Sequence, residues 1–277
     1  MPRVRDVLDV VNRAYPPSLA EHWDTGIGLT CGDPDDAVSS VLLAVDADAA
    51  TVDEAIAAGA QVLLTHHPLL FRPVQSVAAD RPKGLLLHRM IRAGVAHIAA
   101  HTNADRAPGG VNTALAAALG LVDLRPLTPD QAEPAHTGIG CVGRLSRPLT
   151  LRGFTGLVAD RLPATVPGVR AAGAPGRPVG VVAVCGGAGD SELPAAARSG
   201  ADVYLTSDLR HHVVADFVAD PAHPAIVEVA HWAGEWPWLA NAATLIDRGL
   251  LGSVTTRVST VRTDPWTLHV PSPRQGH

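Results

Sequence analysis

Cysteine is scarce in this chain: Cys31, Cys141 and Cys185 are the only three, far apart and without a C-x-x-C pair. That argues against a disulfide framework and a thiolate metal site, so any metal must be held by imidazole and carboxylate. Lysine is nearly missing, with Lys83 alone, while Arg and Ala abound. This reads as codon bias without functional meaning. No basic block occurs, and Lys+Arg 22 against Asp+Glu 27 leave a net charge of −5. A sequence-independent nucleic-acid binder needs a positive surface to displace counterions, so nucleic acid is not an expected partner. No run of about 18 uninterrupted apolar residues exists, so no transmembrane helix is expected. The start, Met1-Pro2-Arg3-Val4-Arg5-Asp6, carries no apolar signal segment. The expectation is a soluble cytoplasmic protein.

What the chain does have is length and apolar content. Its 277 residues, 47% of them hydrophobic, suffice for one large α/β domain or two smaller ones with a substantial core. Val4, Val7, Leu8 and Val11 recur at helical spacing, predicting a first helix that ends before Pro16-Pro17. Strands are predicted over 41–45, 62–65 and 95–100, with helices over 51–58 and 83–93 between them. Gly109-Gly110 then opens an alanine-rich helix ending at Gly120. From about 124 to 178 prolines punctuate the pattern, leaving a connector with some strand and one helix at 151–162. Alternation resumes with strands at 179–185, 202–206, 225–230 and 253–261 and helices at 190–199, 209–219 and 235–248. Such alternation favours α/β architecture with largely parallel sheets. The expected organisation is an N-terminal lobe (1–123), a Pro-rich connector (124–178), a C-terminal lobe (179–264) and a loose or partner-docked tail (265–277).

A short repeat links the halves. Gly59-Ala60-x-Val62-x-Leu64-Thr65 matches Gly200-Ala201-x-Val203-x-Leu205-Thr206 at five of seven positions. The next strand in each half ends in His-x3-acid, His101/Asp105 and then His231/Glu235. The ordered pair of similarities points to an internal duplication: two similar lobes whose strand ends meet in a shared cleft.

His66-His67 follow the apolar run Val62-Leu63-Leu64-Thr65 and are hard to explain as packing. With Asp105, His231 and Glu235 they offer five residues to a site for two divalent cations, which needs roughly five to seven donors. Adjacent histidines on an extended strand point to opposite sides, so they converge only if the chain turns there, as Pro68 encourages. Each His-x3-acid pair shares one face if its segment is helical. Taken singly, a histidine pair, an Asx-capped turn or a packed histidine explains each element; all three after strands in one chain is harder to explain so. The mixed N/O set suits Zn, Fe, Mn, Co or Ni over Ca or Mg. Asp24, Asp46 and Asp208 are candidates to accept the outer N–H of metal-bound imidazoles. Gly186, Gly187 and Gly189, after a strand, could cradle a phosphate of a small-molecule substrate, or simply form a tight turn. His211-His212 fit a helix start, with His212 placed near the cleft.

The runs His22-Trp23-Asp24-Thr25-Gly26-Ile27-Gly28-Leu29 and Leu64-Thr65-His66-His67-Pro68-Leu69-Leu70-Phe71 resemble the opening blocks of the Nif-three-like family. His101-Thr102-Asn103-Ala104-Asp105 with Gly109-Gly110-Val111-Asn112, Cys185 to Gly189, Asp202 to Asp208 and His231 to Glu235 resemble its later blocks, in order. The resemblance implies a two-metal site on His66, His67, Asp105, His231 and Glu235, with Glu235 bridging. It implies two similar lobes assembled as a hexameric toroid. Longer members carry an inserted domain, for which 124–178 is too short. Members are often named GTP cyclohydrolase I type 2, which implies a metal-dependent hydrolase acting on a nucleotide or related heterocycle. In that reading His101, if not a ligand, shuttles a proton. Two alternatives stand beside it: a non-enzymatic metal-delivery or regulatory scaffold, and a phosphoesterase on the same metals.

Overall fold

In α1 (Val4–Ala14), Val4, Val7, Val10 and Val11 turn one stripe inward, and the backbone N–H of Arg3 donates to the Asp6 carboxylate at 2.7 Å. The computed structural model describes residues 1–131 and 136–271. Two sheets carry the fold. The first contains β1 (Gly28–Cys31), β2 (Ser40–Ala44), β3 (Val62–Thr65), β4 (Ala96–Ala99) and β11 (Thr255–Val258), in the order β1-β4-β3-β2-β11. The second contains β5 (Val122–Pro129), β6 (Gly138–Thr150), β7 (Arg170–Ala172), β8 (Pro178–Ala188), β9 (Val203–Ser207) and β10 (Ala225–Glu228), in the order β5-β6-β8-β9-β10-β7. Strands β4, β3, β2 and β11 are parallel, as are β8, β9 and β10; β1, β7 and the β5-β6 pair are antiparallel additions at the edges.

Both faces of each sheet are covered, which is why the central strands read as unbroken apolar runs. In the first sheet Val41, Leu43, Val62 and Leu64 face α1 and α10 (Trp238–Gly249). Leu42 and Leu63 alternate to the other side, against α2 (Ala49–Ala57) and α3 (Pro82–Ala93). In the second sheet Val182, Val184, Val203 and Leu205 pack on α5 (Val111–Ala118) and α6 (Leu151–Arg161). Ala183, Cys185 and Tyr204 face α7 (Leu193–Arg198) and α8 (His211–Ala219). Helix α5 joins the two cores, giving Val111 and Ala114 to one and Leu115 and Ala116 to the other.

The strand order recurs. An edge strand runs antiparallel to the last of three parallel strands in both sheets, β1-β4-β3-β2 and β7-β10-β9-β8. Each half then sends its end across. The chain after α5 enters the second sheet through β5 and β6, and the chain after α10 returns to the first through β11, parallel to β2. So β11, inside the segment assigned to a C-terminal lobe, belongs to the first sheet. The stretch read as a connector likewise supplies most of β5, all of β6, α6 and β7 to the second sheet. Prolines concealed β5 because they read as breakers. Pro126 and Pro129 sit on an edge strand, where proline is tolerated. The tail is described only to Pro271, and residues 272–277 of the expected 265–277 lie outside the described residues. Among the described residues no helix is long and apolar enough to cross a membrane.

Candidate metal centre

The crossover brings the ligand-bearing segments together. His66 and His67 follow β3, where the backbone bends: their consecutive N–H groups donate to Ala44 and Val45 of the same neighbouring segment, at 3.3 and 2.9 Å. A flat strand would send alternate groups that way. The bend turns both rings to one side, with centroids 4.9 Å apart. His101 caps the five-residue helix α4 (Thr102–Arg106), which carries Asp105. His231 opens α9 (His231–Glu235), which carries Glu235. Both His-x3-acid segments are therefore helical, and each puts its pair on one face.

Each of the four imidazoles has its Nδ1 occupied on the outside. His66 donates to the Ala100 carbonyl at 2.9 Å, His67 to Asp46 at 2.7 Å, His101 to Asp24 at 2.9 Å and His231 to Asp208 at 2.6 Å. That leaves every Nε2 directed inward. The Nε2 atoms of His67 and His231 stand 3.2 Å apart. Glu235 lies 2.9 Å from His231, 3.2 Å from His67 and 3.4 Å from His66. Asp105 Oδ1 is 3.7 Å from His66. Asp105 Oδ1 and Glu235 Oε2 are buried and make no hydrogen bond. His66, His67 and His101 offer ligand atoms within 4.8 Å of one another, and so do His67, His231 and Glu235. An imidazole fixed through its outer N–H, with orphaned carboxylate oxygens facing the inner nitrogens, is the arrangement that holds a transition-metal ion. The donors fit the group: nitrogen and oxygen only, in two overlapping clusters.

The electrostatics agree. Burial pushes the Glu235 carboxyl up, but the imidazoles of His231, His67 and His66 outweigh it and hold it well below the usual carboxylate range. The Asp105 carboxyl goes the other way, raised to about 7 by burial and by the Glu235 charge. Burial would lower His67, yet Glu235 and Asp46 raise it to about 10. Glu235 outweighs burial at His231, and with Asp208 raises it to about 11. Protons on these rings balance the carboxylates where cations would otherwise do so.

Surrounding residues hold the cluster. Asp24 opposes its own burial with hydrogen bonds from His101 and Thr102 and is lowered to about 2. It also accepts the Thr102 N–H at 3.1 Å and so caps α4. The three aspartates singled out in the sequence each hold one imidazole. Asn112 was not singled out: its amide donates to the Asp105 carbonyl at 2.9 Å while its oxygen accepts the Gly186 N–H at 2.8 Å, tying the two halves together. Nothing in local periodicity marks such a clip. Trp238, fully buried with its ring 5.6 Å from that of His66, floors the site.

The glycine segment, read as a phosphate cradle or a tight turn, also brings backbone close to the centre, and Gly186 and Gly187 line a cavity beside it. Gly186 has spent its N–H on Asn112. Gly187 has φ +70, and a Cβ there would sit 2.6 Å from Glu235 Oε1 and 3.1 Å from His231 Nε2. Gly189 packs on Tyr204 and Thr206, where a Cβ would meet both hydroxyls at 2.3 Å. These glycines let the backbone approach the carboxylate–imidazole cluster. His212 is not brought in: it is exposed on the first turn of α8, against the ring of His211 at 5.1 Å, outside the cavities beside the centre. A helix start faces solvent here because α8 covers the far side of its sheet.

Two cavities meet at His67 and His231. One, about 590 Å³, is bounded by Trp23, Phe71, His101, Asp105, Gly187 and Glu192 among others. The other, about 900 Å³, lies under Thr263 to Trp266.

Known proteins share this architecture. A "GTP cyclohydrolase 1 type 2 homolog" of Streptomyces coelicolor is 45% identical over 279 residues, covering 98% of this chain and 96% of that one. A Mycobacterium tuberculosis protein of the same name is 37% identical over 371 residues, covering 96% and 97%. That alignment exceeds the 277 residues of this chain, so the mycobacterial protein carries residues this one lacks. The crystal structure of a Bacillus cereus protein related to NIF3 superposes with a TM-score of 0.89 at 25% identity, covering 97% of this chain and 99% of the other. The family model described as Duf34/NIF3 (NGG1p interacting factor 3) matches residues 2–265, and the chain belongs to that family.

Proposed function

We propose that this protein is a dinuclear metal-dependent hydrolase acting on a nucleotide or related heterocycle. The observation that carries the reading is the convergence of four Nε2 atoms, each imidazole fixed from outside, on two buried carboxylates with unpartnered oxygens. His66, His67, Asp105, His231 and Glu235 would hold the cations. His101 would join them as a ligand, since its outer N–H donates to Asp24 and its inner nitrogen stands with those of His66 and His67. Two divalent cations supply an activated water and polarise the attacked carbon or phosphorus centre. The chain's residues do the rest: Asp24, Asp46 and Asp208 orient the rings, and the smaller cavity seats the substrate beside them. The names of the relatives favour ring opening of a GTP-like compound. Assembly into a hexameric ring in the cytoplasm belongs to the same reading.

The test compares metal-loaded and chelated protein on purine, pterin and pyrimidine compounds, with and without phosphates, and on phosphodiesters. Ring opening, or formate release from GTP, is expected only from the loaded protein. Full occupancy by two ions without turnover of any compound would overturn the hydrolase reading. Rapid metal exchange under those conditions would then favour a delivery scaffold.

A further inference from the structure

The 590 Å³ cavity has a wall with no part in holding metal. Trp23 and Phe71 remain 51% and 49% exposed, large fractions for aromatic side chains beside a polar cluster. Their centroids lie 5.9 Å apart, and both rings meet His101 edge-on, at 75° and 78°. They form an aromatic surface next to the inner nitrogen of a proposed ligand.

Charge in the cavity is one-sided. Its lining includes Glu21, Asp105, Glu192 and Glu235 but, among the described residues, no Lys or Arg. The nearest guanidinium, that of Arg106, is held by Glu21 and Asp130. Glu192 has no cationic partner among the described residues; its carboxylate accepts hydroxyls from Thr128 and Ser191 and has lone pairs to spare. A triphosphate would bring about four negative charges into this enclosure. Cations held by Asp105 and Glu235 would answer one anionic group, and no Lys or Arg in the described lining would answer a second. The 900 Å³ cavity offers no relief among the described residues, since the one guanidinium in that lining, Arg170, is paired with Glu228. A flat ring with N–H donors suits these features. Trp23 and Phe71, tilted by 59°, offer such a ring one face and one edge contact, and its donor edge matches Glu192.

We propose that the substrate is a planar nitrogen heterocycle without a polyphosphate chain, packed face-on against one of the two tilted rings Trp23 and Phe71 and edge-on against the other, with its N–H edge on Glu192. This rests on the hydrolase reading and narrows it away from the triphosphate in the relatives' names.

The experiment is calorimetry on the metal-loaded full chain with guanosine, adenosine, cytidine, GTP and inorganic triphosphate at one ionic strength. At least one nucleoside should bind, and the tightest should exceed its triphosphate form by about 10-fold, with inorganic triphosphate weakest. Trp23→Ala and Phe71→Ala should each weaken that nucleoside by about 10-fold while elemental analysis shows unchanged metal. Glu192→Gln should weaken the nucleoside and narrow its advantage over the triphosphate. Tighter binding of the triphosphate, or no binding of any nucleoside, would overturn the proposal. So would nucleoside affinity indifferent to both aromatic substitutions, including the case where they change the assembly mass and so mark a subunit contact. Binding that follows these rules without ring opening would leave the pocket assigned and remove the hydrolase reading. Ring opening that none of the three substitutions affects would do the reverse.

Discussion

His67 and His231, 164 positions apart in the chain, point their Nε2 atoms at each other across 3.2 Å, with Glu235 within reach of both. Two bare nitrogens so placed would repel. A proton or a cation has to lie among them, and their outer N–H groups on Asp46 and Asp208 keep the rings from turning away.

The first expectation follows directly. His67→Ala or Glu235→Ala should lose at least one of two metal ions per chain, read by elemental analysis, with the circular-dichroism spectrum unchanged. Glu235 is the more damaging site because three imidazoles contact it. Two ions retained in both variants would contradict the assignment.

Gly187→Ala should harm the centre more than the fold. The new Cβ would press on Glu235 Oε1 at 2.6 Å, at a φ of +70 that costs a side chain roughly 1–2 kcal/mol. A drop of only a few degrees in melting temperature, with metal affinity at least about 10-fold weaker, is the expected pattern. Calorimetric titration with metal checks it.

Metal uptake should release protons. Without metal, His67 is raised to about 10 and His231 to about 11, so at pH 7 both rings carry a proton that a cation must displace. Affinity should therefore rise with pH across the neutral range and up to about pH 10. Titrations at pH 7 in buffers of different ionisation enthalpy should return at least two protons released per chain, two from these rings and part of one from Asp105, whose carboxyl is raised to about 7. For the metal-free fold the sign is opposite: these raised values stabilise it at neutral pH and are lost as pH climbs through 10 to 11.

His97 gives the fold an acid limit. Fully buried on β4, it is lowered by burial to about 4. Thr65 gives its hydroxyl proton to the His67 carbonyl at 2.6 Å, so His97 donates to Thr65 at 2.8 Å and accepts from Thr30 in the neutral form. The unfolded chain takes up this proton near pH 6.5, the fold only near 4, so stability falls as pH drops through that window. The lowering amounts to about 3 kcal/mol. Denaturant titrations at pH 6.5 and 4.5 should show a steeper loss in the natural chain than in His97→Gln, beginning from a higher stability.

Much of the fold was legible because the central strands are covered on both faces. Continuous apolar runs at 41–45, 62–65 and 203–206 leave little alternative to buried strand. Strands β1, β5 and β7 were not legible. They are edge strands, short, half-exposed or rich in proline, and the partners of β1 and β7 lie far along the chain. Within the site, His66-His67 and the two His-x3-acid pairs stood out by residue type. Asn112, Trp23 and Phe71 lie inside the family-like blocks, but neither they nor Glu192 show their role locally, because an amide, an aromatic ring or a carboxylate acquires it here only from what stands opposite.

Residue chemistry and spacing along the chain determined the donor set: imidazole and carboxylate rather than thiolate, paired four apart on short helices at strand ends. Those properties are local, so reading the chain suffices for them. Tertiary structure alone decided that each half sends its last helix and strand to the other sheet, that each histidine meets its own outer acceptor, and that Gly187 makes room for Glu235. Such matters turn on contacts between residues as far apart as Ser40 and Thr255, and no short-range pattern encodes which distant partner a side chain will find.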